Sequence, residues 1–569
     1  MKKKGKIIGK VSATEKNPST IDYFYFWTDS NSDELSPFDV VMVENPNSSI
    51  TYAIVEEINH VTDSSSHFAS YISSEFGSIG DATNPDSFQI GNTNRLSFSY
   101  VKAKVIHNTE NKYTPVLHDR PVCLCTPDGI REALGLTEVK NPLTCGYMKM
   151  YGNKVKVQIN DHFLIGPDGA HLNVSGISGL ACKTSYTMFL LNVLQQKYMK
   201  LWEEAVNLDD EDVKPQKIAY LIFNVKGHDL LTLDIPNPKL TEEQKEIYLN
   251  ELNLSPDPFK QVYYYYPYGN NTSRKHTQSN ANIEDLERQF IDSNACRYFY
   301  DFESCRDKLQ YLFANETDSS GTLASILSHI LDYGQPFDKT VKTWSEFYTS
   351  LNKLITGLGE NPTPIALASW KKFARIVKKF NTELLFGDKG YDKNDTSDLT
   401  SHLFNNLEAN DVKVIDIAQL DPSIQGFVFG DVIQQVIERM SAKDEKTPNQ
   451  IVIFVDELNK YASTDVPKSS PILRHLLDIT ERGRALGMIL FSVEQFRSAI
   501  HDRVKGNCAN SAYGKTNFVE VTKPDYHFFG NTYKNMMTRL AQGEYIISNP
   551  ALRSLVSIEF PYPTFKSNN

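Results

Sequence analysis

The stretch His171-Leu-Asn-Val-Ser-Gly176-Ile-Ser-Gly179-Leu-Ala-Cys182-Lys183-Thr184-Ser185-Tyr-Thr-Met188-Phe-Leu-Leu191-Asn-Val-Leu194 changes character twice. An apolar strand pattern on Leu172 and Val174 gives way to a tight run of small residues. A helical pattern follows, with Met188, Leu191 and Leu194 spaced to share one face. Strand, small-residue loop, Lys-Thr and helix is the layout of a phosphate-binding loop. In such a loop the backbone N–H groups and the free donors of the first helical turn surround a phosphate, and the helix dipole adds partial positive charge. Lys183 is then placed to bridge β- and γ-phosphates, and the Thr184 hydroxyl to ligate Mg²⁺. The expected nucleotide contacts are Gly176, Ser178, Gly179, Leu180, Ala181, Cys182, Lys183, Thr184 and Ser185. The loop departs from the pattern G-x-x-x-x-G-K-[ST]: Ile177 and Cys182 stand where glycines are expected, and Gly176 sits one residue early. A cysteine before the lysine carries a Cβ and restricts backbone that glycine leaves free. Taken alone, the segment reads as such a loop first, with an ordinary strand-to-helix turn that carries Lys-Thr as the lesser alternative.

A second segment bears on that choice. Gln450-Ile-Val-Ile-Phe-Val-Asp456-Glu457 reads as a buried strand ending in two carboxylates. In a nucleotide-hydrolysing site the first of these orders the Mg²⁺ shell, and the second polarises the attacking water. Together the two motifs, in this order within one α/β region, predict a Mg²⁺-dependent P-loop ATPase with Asp456 at the metal and Glu457 as catalytic base. Downstream, Thr480-Glu-Arg482-Gly-Arg484 precedes a strand, Met488–Ser492, that runs into Ser492-Val-Glu-Gln495. A polar residue just past a strand beside the Asp-Glu strand suits a γ-phosphate sensor, and Gln495 is assigned that role. Either Arg482 or Arg484 could serve as an arginine finger on a neighbouring subunit's nucleotide; the alternative is a solvated charged turn.

Outward from these motifs the chain divides. Residues 5–140 show short alternating runs between turn signals, such as Lys6–Val11, Val40–Glu44, Tyr52–Ile58 and Leu96–Ile106, as in a small β-barrel. Residues 141–160 read as a linker leading into a strand. From residue 161, short apolar strands alternate with long helical patterns, which predicts a parallel sheet with crossover helices. Its strands are expected at His171–Ser175, Ile218–Asn224, Lys413–Ile417, Ile451–Val455 and Met488–Ser492. The stretch 235–410 reads as a mostly helical insertion decorating the sheet, and two β-runs near the end could pair antiparallel. The domain reading is therefore 1–145 barrel, 146–234 first part of the ATPase core, 235–410 insertion, and 411–569 second part of the core with a terminal β segment.

At 569 residues the chain exceeds what one core organises, and its composition is that of a soluble protein, with 40% hydrophobic and 23% charged residues. No apolar run approaches the ~18 residues of a membrane span. The amino terminus, MKKKGKIIGKV, lacks the apolar region of a secretory signal. Seven dispersed cysteines fit reduced thiols rather than a disulfide framework, so a cytoplasmic location is expected. A net charge of −11 excludes a uniformly basic surface but not a basic channel inside an acidic shell. Cys123-x-Cys125 has no second pair at zinc spacing and reads as strand filling. The basic run Lys371, Lys372, Arg375, Lys378, Lys379 has the spacing of a solvated helix face. No nuclease-type acidic cluster is visible.

With these pieces assembled, the chain resembles the HerA family of hexameric DNA-translocating ATPases, relatives of FtsK, over most of its length except 235–410. The resemblance rests on Ser36-Pro-Phe-Asp-Val-Val-Met-Val in the β region and on Gly-x-Ser-Gly…Lys-Thr in the core. It continues through Phe-Asn-Val-Lys-Gly-His-Asp at 223–229, Val414-Ile-Asp-Ile, the Gly430–Met440 helix and Val455-Asp-Glu-Leu. Arg482-Gly-Arg-Ala-Leu-Gly487, Ser-Val-Glu-Gln495 and Gly543-Glu then follow in family order. A small non-Gly residue before the lysine is similar to a bacterial branch that forms the ATPase half of antiphage defence systems. The resemblance implies a RecA-like core behind an amino-terminal HAS-type barrel, a homohexameric ring with ATP and Mg²⁺ at subunit interfaces, and double-stranded DNA in the channel. It also implies an effector, a nuclease or a sirtuin-like NADase, docked on the barrel face. The alternative is an ATP-binding ring scaffold that organises effector subunits with little motor activity.

Overall fold

The computed structural model describes residues 3–28, 35–63, 66, 97–179, 181–205, 215–314, 316, 321–357, 363–378, 380, 383–405, 407–442 and 447–567. The expected contact Leu180, the basic residue Lys379, Leu96 of the expected run Leu96–Ile106 and the Ser- and Asn-rich residues 80–94 lie outside them.

The amino-terminal strands β1 (Lys4–Val11), β2 (Tyr23–Thr28), β3 (Val40–Glu44), β4 (Ile50–Thr62), β5 (Ser97–Asn108) and β6 (Pro121–Cys125) close into a barrel in the order β1-β2-β5-β4-β3-β6. Alternation along each strand sets its two faces. Phe24, Phe26, Val41, Val43, Ala53, Val55, Val101 and Val122 fill the barrel interior. Their neighbours Val40, Met42, Tyr52, Ile54, Cys123 and Cys125 point outward, yet they too are buried, because they belong to the core of the following domain. The helix Pro127–Leu134 fills the seam, with Ile130, Ala133 and Leu134 buried. Thr126 caps its start, and Gly135 ends it at φ 82°, the left-handed conformation glycine adopts without penalty.

The remaining strands are β7 (Pro142–Met150), β8 (Asn153–Asn160), β9 (Leu172–Ser175), β10 (Ile218–Asn224), β11 (Val262–Pro267), β12 (Ala295–Tyr298), β13 (Asp395–Thr396), β14 (Val412–Asp416), β15 (Gln450–Asp456), β16 (Met488–Glu494), β17 (Asn510–Tyr513), β18 (Glu544–Ser548) and β19 (Val556–Glu559). They form one 13-stranded sheet, ordered β13-β12-β11-β14-β10-β15-β16-β9-β17-β18-β19-β7-β8. From β13 to β17 every neighbouring pair is parallel, and from β17 to β8 every pair is antiparallel. The fold is thus α/β, a RecA-like parallel core with an antiparallel wing, preceded by an all-β barrel.

Strands β10, β15 and β16 are buried at every residue, the signature of a parallel strand covered on both faces. Their side chains divide by a period of two. Tyr220, Ile222, Val452, Phe454, Ile489 and Phe491 pack on one side with Tyr186, Met188, Leu191 and Leu194 of the helix Lys183–Ala205. Leu221, Phe223, Ile453, Val455 and Leu490 pack on the other with Phe427, Val428, Ile433 and Leu476. Those residues come from the helices Pro422–Ala442 and Pro471–Leu486.

Two expectations need correction. Residues 141–160 are not a linker: β7 and β8 form a hairpin in the large sheet, because Leu143, Cys145, Tyr147, Val155 and Val157 supply an apolar alternating face. A domain boundary at 145 would cut β7. Nor is 235–410 only a helical decoration, since β11 lies between β14 and β12 inside the sheet. The aromatic run there works as a two-faced strand, Tyr264 and Tyr266 joining one core and Tyr265 the other. The helices between Phe302 and Asn405 pack on the second of these cores. Among the described residues no helix is long and apolar enough to cross a membrane.

Candidate nucleotide site

Strand β9 feeds the loop 176–182. It lies between β16 and β17, and β15 lies one strand further, beyond β16. The strand that ends in Asp456 is therefore next but one to the strand that feeds the loop, and β16 delivers its end between them. These are carboxyl ends, and the crevice beyond them is where open parallel sheets bind ligands.

The loop is held from below and from the side. Gly176 N donates to Glu494 O at 3.3 Å, Ile177 N to Lys515 O at 2.8 Å, and Ala181 N to Ile177 O at 3.1 Å. Gly176 has φ 152°, and a Cβ there would meet Ala181 Cβ at 2.7 Å, so only glycine fits. Ser178 and Gly179 form the exposed tip. Cys182 adopts φ 48°, the left-handed conformation that explains why glycine is expected there. A non-Gly residue pays about 1–2 kcal/mol for it. Contacts from the β18 side hold it in place: the Tyr545 hydroxyl donates to Ala181 O, and Gln542 Nε2 lies 3.0 Å from Cys182 Sγ.

Lys183 opens the helix, with its Nζ 3.4 Å from Ser178 Oγ, and burial lowers its pKa below the ordinary lysine value. The Thr184 hydroxyl donates to Asp456 Oδ2 at 2.8 Å, joining the two motifs across the site. Ser185 follows, half-buried. Asp456 Oδ1 accepts the Glu457 N–H at 2.8 Å, and Glu457 itself sits at φ 55°. Two ammonium groups face the Glu457 carboxylate, Lys226 at 3.1 Å from Oε1 and Lys460 at 2.7 Å from Oε2. Partial burial works against the Glu457 charge, but Lys460 and Lys226 outweigh it and hold the pKa below the usual glutamate value. Thr184 and Asp456 are hard oxygen donors within hydrogen-bond distance of each other at a helix N-terminus, a donor set that fits Mg²⁺.

Beyond the expected residues, β16 runs two residues further than Ser492 and ends in Glu494, which is 1% exposed. Burial pushes its pKa up to about 8, against the Arg497 charge, the neighbouring Asn173 amide and the Lys183 charge, and neither carboxylate oxygen has a donor at good hydrogen-bond geometry. Arg497, half-buried, lies over the Tyr513 ring and donates to Asn173 Oδ1. The sequence carried no signal for this pair, because Glu494 stands beside Gln495 and only the length of β16 decides which one turns inward. Gln495 is exposed just past the strand end. Lys226 follows β10 in Asn224-Val-Lys-Gly-His-Asp229; the position just after a sheet strand was the available signal.

Arg482 and Arg484 are exposed in the last turns of the helix that precedes β16. That is the amino edge of the sheet, opposite the loop. Arg484 donates to Asp168 O at 3.2 Å and lines a cavity with Gly166, Asn449 and Gln450, at the start of β15. The structure thus brings Lys183, Thr184, Asp456 and Glu457 together and leaves both arginines out of reach of them. Of the basic segments, Lys371, Lys372 and Arg375 are exposed opposite buried Trp370, Phe373 and Val377. Arg274 is spent on Ser279 O and Ala281 O.

Neither a family model nor a curated protein matches the chain. Among solved structures it is similar to VirB4 of Thermoanaerobacter pseudethanolicus, at 12% identity over 74% of this chain and 96% of that one, with a TM-score of 0.39. It is similar to the bacterial conjugative coupling protein TrwB, at 11% identity over 77% of this chain and 94% of that one, with a TM-score of 0.38. A shorter likeness, 29% of this chain and 73% of the other at 11% identity and a TM-score of 0.21, is to the genome packaging NTPase B204 of Sulfolobus turreted icosahedral virus 2.

Proposed function

We propose that this chain is a Mg²⁺-dependent ATPase that works as the DNA-translocating subunit of a HerA-like hexameric ring. The observation that carries the reading is the hydrogen bond from Thr184 to Asp456. It joins a helix N-terminus carrying Lys183 to a strand end carrying two carboxylates, and this is the constellation that phosphoryl transfer to water needs.

Each residue has a part in that chemistry. Loop amides and the Lys183 ammonium bind and orient the β- and γ-phosphates, while Thr184 and Asp456 hold Mg²⁺. The metal, when bound, supplies positive charge against the phosphate oxygens. Glu457 accepts a proton from the attacking water and aligns it through Oε1, once that oxygen is free of Lys226. Gln495, exposed just past the end of β16, senses the γ-phosphate. Arg482 or Arg484 acts on the nucleotide of a neighbouring copy. Duplex DNA in the channel is held by its phosphates without sequence readout. In a cytoplasmic antiphage role the ring pairs with a nuclease or sirtuin-like NADase on the barrel; part of the barrel's outer face is already used by the chain's own core.

A second reading, a ring scaffold that uses ATP binding as a switch, is favoured by the doubly paired Glu457 and the non-Gly Cys182. Purified full-length protein assayed for ATP hydrolysis with and without duplex DNA separates the two. Mg²⁺-dependent hydrolysis stimulated by duplex DNA is expected. A rate indifferent to DNA, with no translocation, would leave only the scaffold.

A further inference from the structure

Lys226 stands just past the carboxyl end of β10, the strand beside β15. Its ammonium lies between both acidic groups of the site, 3.1 Å from Glu457 Oε1 and 3.6 Å from Asp456 Oδ2. Asp456 Oδ2 is also the oxygen that accepts the Thr184 hydroxyl, so the cation sits where the metal donors converge. Burial works against the Lys226 charge, but Asp456 and Glu457 outweigh it, and its pKa is raised. Lys460 differs: it reaches Glu457 Oε2 at 2.7 Å from three residues further along, and pairs with Glu457 rather than Asp456.

We propose that Lys226 is a displaceable counter-ion of the metal site, holding Asp456 and Glu457 until Mg²⁺-nucleotide arrives and then releasing both. The proposal rests on the nucleotide reading above. An ammonium and a divalent cation repel each other, and a carboxylate oxygen already shared with Thr184 cannot serve both at close range. Because one nitrogen touches both acids, leaving Asp456 loosens its hold on Glu457 as well. The Glu457 backbone stays pinned through its N–H bond to Asp456 Oδ1, so only the side chain moves. Lys226 is therefore a positioning residue: it ties the release of Glu457 Oε1 to the presence of the metal, while Oε2 stays paired with Lys460.

The test is a Mg²⁺ titration of fluorescent ATP-analogue binding to full-length protein, followed by anisotropy. Compared are wild type, Lys226→Met, Lys226→Arg and Lys460→Met. With its competitor gone, Lys226→Met should need less Mg²⁺ for half-saturation, by about threefold to fivefold, the scale of a partly exposed ion pair. In EDTA the same variant should bind the analogue more weakly, having lost a cation. These opposite changes are not what a general loosening of the loop produces. Lys226→Arg should restore both values, and Lys460→Met should leave the Mg²⁺ requirement near wild type. An unchanged or increased Mg²⁺ requirement in Lys226→Met, or an equal drop in Lys460→Met, overturns the proposal and leaves the nucleotide site standing. Wild-type protein that binds no analogue under any condition overturns the nucleotide reading and this proposal with it.

Discussion

At the carboxyl edge of β9, β16 and β15 lie Lys183, Thr184, Asp456, Glu457 and the buried Glu494, whereas at the amino edge of the same strands lie Arg482 and Arg484. Seven residues of β16 separate the two edges, roughly 20 Å of extended chain. An arginine side chain does not span that gap. Under the proposed function the carboxyl edge binds and aligns the nucleotide, and the amino edge offers its cations to a neighbouring copy. On that reading a lone chain holds ATP. Under the proposed function, rapid turnover belongs to the contact between copies.

This contrast can be broken from either side. The largest effect is expected for Lys183→Ala, which should abolish ATP binding in equilibrium measurements while circular dichroism stays native. Next comes Glu457→Gln, which should retain ATP while hydrolysis falls by up to about 10⁴-fold; wild-type turnover in that protein would remove Glu457 as the base. On the amino edge, Arg482→Ala or Arg484→Ala should leave nucleotide affinity intact and lower steady-state turnover by about 10²–10³-fold. A variant at each position that binds, assembles and hydrolyses normally would show that edge to be an ordinary charged turn.

Two smaller effects sharpen the description of the carboxyl edge. The carboxyl of Glu494 is raised from 4.5 to about 8 in the folded protein. Between those values the unfolded chain is ionised while the folded chain keeps its proton, so stability falls as pH rises through the window. Glu494→Gln should cancel that loss, and its advantage over wild type in denaturant titrations should grow from about pH 5 to pH 8. At the upper end it should reach about 1–3 kcal/mol, the cost of a buried polar group that is poorly satisfied. The smallest change is expected for Cys182→Gly, which relieves the left-handed backbone and should raise stability by about 1 kcal/mol with nucleotide binding preserved. A fall in stability would mean that the Gln542 contact outweighs the backbone cost.

The core strands were legible because parallel strands covered on both faces read as continuous apolar runs, and β10 falls at the expected residues. Strand β16 extends beyond its expected end because Val493 and Glu494, though one is polar, continue the same ladder beside β9. That extension is also why Glu494 escaped notice: whether an acid at a strand end is buried depends on the neighbouring strand, which the local sequence does not reveal. Strands β11 and β12 were hidden for a related reason. Four consecutive tyrosines at 263–266 have no apolar–polar alternation to read, and their pairing partner β14 lies more than a hundred residues away. In the site, Lys183, Thr184, Asp456 and Glu457 were recognisable by residue type and spacing. Lys226 stands in the quoted run 223–229, but its place between the two acids is not readable until β10 is set against β15.

The pairing of β19 with β7 has a further consequence, for the order in which the molecule can be made. Tyr147 donates its hydroxyl to Glu559 at 3.2 Å across 412 residues of chain, and Lys149 pairs with the same carboxylate at 2.6 Å. The barrel's own strand pairs are complete by residue 125, so a nascent chain can close it early. The β7–β8 hairpin cannot find its neighbour until β19 emerges from the ribosome. At ordinary synthesis rates that is a wait of roughly 20–80 s. During that interval β7 presents an unpaired edge beside a finished barrel, an invitation to wrong partners. Full assembly of the sheet, and with it the β17–β18 side that clasps the loop 176–182, is therefore a late event in the birth of this protein.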